Sequence, residues 1–128
     1  MSNKRDHSIR NSELSKDLFD GKKYFDWSVT TAFYSIIHLV EDVLLPRDIN
    51  GVECKSIAEV RKSYSCKGRH EAREKLVSDH CPPDVSSKYK WLDDKSRYAR
   101  YTTYKVTIAE AEKANQYLAY ITKNIVKS

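Results

Sequence analysis

The run from Tyr24 to Leu45, YFDWSVTTAFYSIIHLVEDVLL, constrains the fold more than any other part of the chain. Its length and its spacing predict a long helix with two chemically different faces. Phe25, Val29, Ala32, Ile36, Val40 and Val43 recur at helical intervals and form a core-facing stripe. Trp27, Tyr34, His38 and Glu41 fall on a second face. Aromatic rings with polar tips, an imidazole and a carboxylate along one line place such a helix between a core and either a partner subunit or a site.

The chain has 128 residues, about one domain's worth, and that length supports a single hydrophobic core without staples. A single helical domain over 1–128 is therefore expected, with residues 1–10, MSNKRDHSIR, as a flexible N-terminal arm. Glycine and proline number three each, and nine tyrosines outnumber three phenylalanines. This composition suits helices with polar-aromatic seams and leaves little for strands to do. Cys54, Cys66 and Cys81 are odd in number and form no CxxC pair, which points to reduced thiols and a cytoplasmic protein. No stretch approaches the roughly 20 apolar residues that span a bilayer, so no membrane partner is expected. The formal charge of +5 leans toward anionic partners. That charge is uneven, concentrating in Lys55 to Arg73 and in Lys88 to Lys105, and it predicts a basic face.

Along the chain, Ser12 opens a short amphipathic helix with Leu14, Leu18 and Phe19 as its apolar positions, broken or bent at Gly21. Pro46 ends the long second helix, and Arg47 to Lys55, with Asn50-Gly51, reads as a loop with a turn. Ile57, Val60 and Tyr64 suggest a brief helix, and Gly68 separates it from a short helix over Arg69 to Asp79 that must stop before Cys81-Pro82-Pro83. Asp84 or Ser86 can cap the next helix, in which Tyr89, Leu92, Ser96, Ala99 and Thr103 allow close approach of a neighbour. Thr107-Ile108-Ala109-Glu110 has capping-box form, and Ile108, Ala111, Asn115, Leu118, Ile121 and Ile125 continue the last helix. The economical architecture is all-α, an antiparallel four- to five-helix bundle.

The order of these signals, from YFDWSVTTAFYSIIHLVEDVLL through GRHEAR to SRYARY, resembles the HEPN domain family over roughly Leu14 to Leu118. The resemblance implies a four-helix core, a homodimer, and in active members a metal-independent ribonuclease of toxin-antitoxin or antiviral defence systems. It also implies a motif in which an arginine and a following histidine are separated by four to six residues. The histidine would take a proton from a ribose 2′-hydroxyl, and the arginine would hold charge on the attacked phosphate. The literal match is Arg73 to His80, which makes these two the candidate catalytic pair. A second alignment places Ser96 to Thr102 at the motif, with Arg97 as the arginine and Thr102 where the histidine would stand. That alignment describes a non-catalytic module binding nucleic acid, or a partner protein such as an antitoxin or a nucleotidyltransferase.

Arg69, His70, Arg97, Arg100, Tyr101 and Tyr104 are the candidate RNA-binding residues, since guanidinium groups contact phosphate and tyrosine faces stack on unpaired bases. The same side chains also fit a solvated face that covers core and pairs with acids. His38, one turn before Glu41 and Asp42, fits a buried histidine held by a neighbour. Cys66, His70, His80 and Cys81 superficially offer zinc ligands, but adjacent His80 and Cys81 rarely serve one ion, so neither metal nor cofactor is expected. There is no Gly-rich phosphate loop, and His70-Glu71-Ala72-Arg73-Glu74 has Glu74 where a zincin helix needs its second histidine.

Overall fold

The computed structural model describes residues 3–21, 25–101 and 106–125, apart from the side chains of residues 3 and 98–101. Within them the chain is all-α: helices α1 (Asn3–Asp20), α2 (Phe25–Leu44), α3 (Ile57–Tyr64), α4 (Arg69–His80), α5 (Pro83–Tyr101) and α6 (Ile108–Asn124). A small antiparallel hairpin, β1 (Arg47–Ile49) with β2 (Val52–Cys54), separates α2 from α3. Local chemistry explains the boundaries. Asn50 and Gly51 both have positive φ, 54° and 84°, and Ile49 pairs with Val52, so Asn-Gly forms a two-residue hairpin turn rather than an open loop. Reciprocal capping boxes start α3 at Ser56 and Glu59 and α6 at Thr107 and Glu110. Helix α5 begins at Pro83, where the missing N–H costs no helical bond.

Helix α2 is the central element. Val29, Ala32, Phe33, Ile36 and Val40 are all buried, as the stripe predicts, whereas Phe25 and Val43 pack only partly. They meet Leu76 and Val77 of α4, Tyr89 and Leu92 of α5, and Leu118 and Ile121 of α6 in one core.

Helix α1 differs from expectation. Residues 1–10 do not form a free arm: from Asn3 onward they are helical and lie on α2. Nor does α1 dock mainly through its apolar positions: Leu14 is 46% exposed, while Phe19 packs partly against the core beside Phe25. The seam is polar instead. Buried Ser8 meets Ser35 at 3.1 Å, and buried Ser15 donates to the Ser28 carbonyl at 2.7 Å. Asn115 of α6 joins the same cluster by donating to the Ser28 hydroxyl. Lys4 and Arg5 pair with Glu41 and Asp42 at 3.1 and 2.8 Å. Small hydroxylated residues let the two backbones approach closely while each buried oxygen keeps a partner.

The contrast between the two faces is measurable. Ile36→Ala should cost about 2–5 kcal/mol of unfolding free energy in urea, because it opens a cavity in a site with no exposure. Leu14→Ala, on the outer side of α1, should stay within about 0.5 kcal/mol of wild type.

Candidate functional site

The chemistry-bearing side chains gather at the seam of α4 and α5. On α5, Tyr89, Asp93 and Ser96 share the inward face because they recur at helical spacing. All three are buried, and the Asp93 side chain is 1% exposed. Across the seam His70, in the first turn of α4, places Nε2 2.7 Å from Asp93 Oδ2. The ring N–H does not point along that line, so the contact is a close approach and not an aligned hydrogen bond. Arg97, one turn after Asp93, brings Nε to 3.6 Å from Oδ1. The edge of Phe33 packs against His70 with ring centroids 6.4 Å apart. Burial pushes the Asp93 carboxyl above its ordinary range, and the charges of His70 and Arg97 offset only part of that. The hydroxyls of Tyr89 and Ser96 are buried without a hydrogen-bond partner among the described residues.

Two of the sequence candidates, His70 and Arg97, therefore meet at one carboxylate. Arg73 and His80 do not meet. They lie seven residues apart on α4, about 10 Å along its axis, and each is held by a different element. Arg73 Nε donates to Glu41 Oε2 at 2.9 Å, facing α2. Burial pushes the Glu41 carboxyl up, but the hydrogen bonds and charges of Arg73 and Lys4 outweigh it and leave it below the ordinary value. His80 faces the hairpin and α3. Arg47 Nη1 donates to its Nδ1 at 3.1 Å, which commits that lone pair, and Nε2 lies 3.4 Å from the Tyr64 hydroxyl. Tyr64 in turn donates to Asp79.

The remaining candidates are more dispersed. Arg69 is exposed at the start of α4. The side chains of Arg100 and Tyr101, and Tyr104 altogether, lie outside the described residues. His38 stacks on His7 with centroids 5.1 Å apart, as expected of a histidine held by a neighbour. The four residues weighed for zinc do not assemble; among the described residues the group that does is His70, Glu74 and Asp93.

Sequence reasoning missed Asp93, whose signal was a carboxylate within one turn of Tyr89, Leu92 and Ser96 on a buried stripe. It also missed an aromatic and lysine seam on the other side of α5. There Trp91 and Tyr117 meet edge to face at 5.2 Å, with Lys113 Nζ 4.9 Å from the indole and Lys88 Nζ 4.2 Å from the Tyr120 ring. A groove of about 730 Å³ between α1 and α6, lined in part by Phe19 and Leu118, holds none of these groups.

The histidines give the fold a pH dependence. Burial holds His38 below its ordinary value, helped by the positive groups His7, Arg73 and Lys4 and opposed by Glu41. Burial, then the Arg47 charge, does the same for His80 against the opposing Asp79. Because both folded pKa values are lowered, the unfolded chain takes up protons first. The stability they contribute is complete above the unfolded value of about 6.5 and is lost as pH falls toward the folded values. Urea midpoints should drop between pH 7.5 and pH 5.5, and both His38→Gln and His80→Gln should flatten that drop.

No family model, curated protein or solved structure matches the chain.

Proposed function

We propose that this is a HEPN-like RNA-binding protein that cleaves the strand it holds without a metal ion, with His70 in place of His80 as the base. The observation that carries this reading is the placement of His70. One ring nitrogen lies against the buried Asp93, the side chain is 34% exposed, and Arg97 stands on the same carboxylate. A buried carboxylate behind an imidazole fixes its orientation and stabilises the imidazolium that forms when it accepts a proton. Nε2 faces Asp93, so Nδ1 is the nitrogen left to act. His80 is a weaker base, because Arg47 already donates to its Nδ1.

In the reaction, His70 Nδ1 takes the proton of a ribose 2′-hydroxyl while the 2′-oxygen bonds to the adjacent phosphorus. The bond from phosphorus to the 5′-oxygen breaks, the leaving oxygen takes a proton from water, the His70 imidazolium returns its proton to the hydroxide left behind, and a 2′,3′-cyclic phosphate remains. Arg97, half exposed at the rim, stabilises the charge gathering on the phosphate. Trp91, Tyr117 and the lysines on the far side of α5 offer stacking faces and phosphate contacts to the rest of the strand. The defence setting and the homodimer come from the resemblance, with no contact of this chain behind them.

A second reading, binding without cleavage, is favoured by the capture of Arg73 by Glu41, which removes one cation of α4 from phosphate duty. Cleavage of structured RNA in excess chelator separates the two. The wild type should produce cyclic phosphate ends, and His70→Gln, which keeps a polar side chain beside Asp93, should lose about 10²–10⁴-fold in rate while staying folded by circular dichroism. His80→Ala should cleave within a few-fold of wild type. Binding that is intact in all three proteins with no cleavage in any would select the second reading. Cleavage lost in His80→Ala and retained in His70→Gln would reverse the assignment of the base.

A further inference from the structure

We infer that His70, Glu74 and Asp93 form a Zn²⁺ site. Its regulatory consequence, stated below, rests on the reading of His70 as the base. The set differs from the cysteine and histidine residues that the sequence suggested for zinc. His70 and Glu74 are one turn apart on α4, Asp93 comes from α5, and one donor atom from each lies within 4.8 Å of the other two. Zinc bonds of about 2.0–2.2 Å place neighbouring donors in a tetrahedral shell about 3.4 Å apart. Closing the widest gap therefore needs a shift of about 1.4 Å. Glu74 can supply it, because its half-buried carboxylate is held by a solvent-screened surface pair to Lys90 at 3.2 Å.

An independent observation concerns the donors themselves. Asp93 is almost wholly buried, yet among the described residues its Oδ1 has no hydrogen bond, and neither does His70 Nε2. The two groups approach to 2.7 Å without the N–H addressing the carboxylate. Buried polar atoms left unpaired in this way call for a further partner. The donor types agree: one imidazole and two carboxylates suit a dication that displaces the Lys90 ammonium from Glu74 and takes over the loose 3.6 Å contact of Arg97 with Asp93, and imidazole favours zinc over magnesium or calcium.

Occupation has a chemical consequence. Zinc on Nε2 uses that lone pair and fixes the ring proton on Nδ1, so the nitrogen that accepts the ribose proton is no longer basic. Zinc would act as an off-switch for a reaction that needs no metal.

The test is a zinc titration of the metal-free full-length chain in competition with a chromophoric chelator. Wild type should take up one equivalent, and Glu74→Gln, His70→Gln and Asp93→Asn should each weaken uptake at least about tenfold. The doubly substituted His80→Ala, Cys81→Ser chain should bind as wild type does. Glu74 is partly exposed, so Glu74→Gln tests the site even if the Asp93 variant fails to fold. Absence of uptake, or uptake that survives both Glu74→Gln and His70→Gln, overturns the site. Normal uptake by a wild type that cleaves no RNA upholds the zinc site and refutes the reading of His70 as the base.

Discussion

The burial of α2 on several sides at once is the constraint from which the other elements take their places. A helix with core on one face and a docked helix on another must present each neighbour with a surface that it can meet. Toward α5 and α6 it presents Val29, Phe33 and Ile36; toward α1 it presents hydroxyls. Thr31 satisfies its own oxygen by donating to the Trp27 carbonyl, and Ser28 and Ser35 exchange bonds with α1. Glu41 then sits where three helices meet and collects Lys4 from α1 and Arg73 from α4. That pairing helps set α4 against α2, and His70, one turn before Arg73, is set opposite Asp93 as a result.

Two carboxylates near this seam have opposite fates, and the difference is informative. Glu41 is fully paired and lies below its ordinary pKa, which marks a structural ion pair. Asp93 is more deeply buried, incompletely paired and raised. Desolvation of a carboxylate costs several kcal/mol unless geometry and hydrogen bonds repay it, and an apolar residue of similar size is often as stable or more so. Stability alone therefore gives little reason for an aspartate at this position. Retaining it with an imidazole 2.7 Å away is easier to understand if the pair does chemistry.

Much of the fold was legible because its signals are local. The α2 stripe, the capping box at Thr107, the stop before Pro82 and the break at Gly21 each lie within a few residues, and each marks an element of the structure. The turn at Asn50-Gly51 was legible, but the segment around it read as a loop and not as a hairpin, because three-residue strands are too short to show alternation. Helix α1 was harder, because its docking face is serine and not leucine, so hydrophobic periodicity pointed to the wrong side. The site was the least legible part. A linear motif finds Arg73 and His80 because they share one helix, whereas His70 and Asp93 are 23 positions apart on two. Periodicity within each helix says nothing of the register between them.

The same limitation applies to charge. The basic stretches suggested a continuous cationic face, but the structure pairs part of that charge with acids of the same chain: Arg73 with Glu41, Lys95 with Glu110 and, at the surface, Lys90 with Glu74. Arg97 is a different case. It is half exposed, and its contact with Asp93 at 3.6 Å is the longest in the cluster. The strength of that contact depends on whether Asp93 carries its charge, and burial already disfavours the charged form. Any event that neutralises Asp93, a proton or a zinc ion, weakens its hold on the guanidinium and frees it for an outside anion. The buried carboxylate is thus linked to both proposed duties of the site: it orients the imidazole that would act as base, and it controls how much of Arg97 is free to hold phosphate.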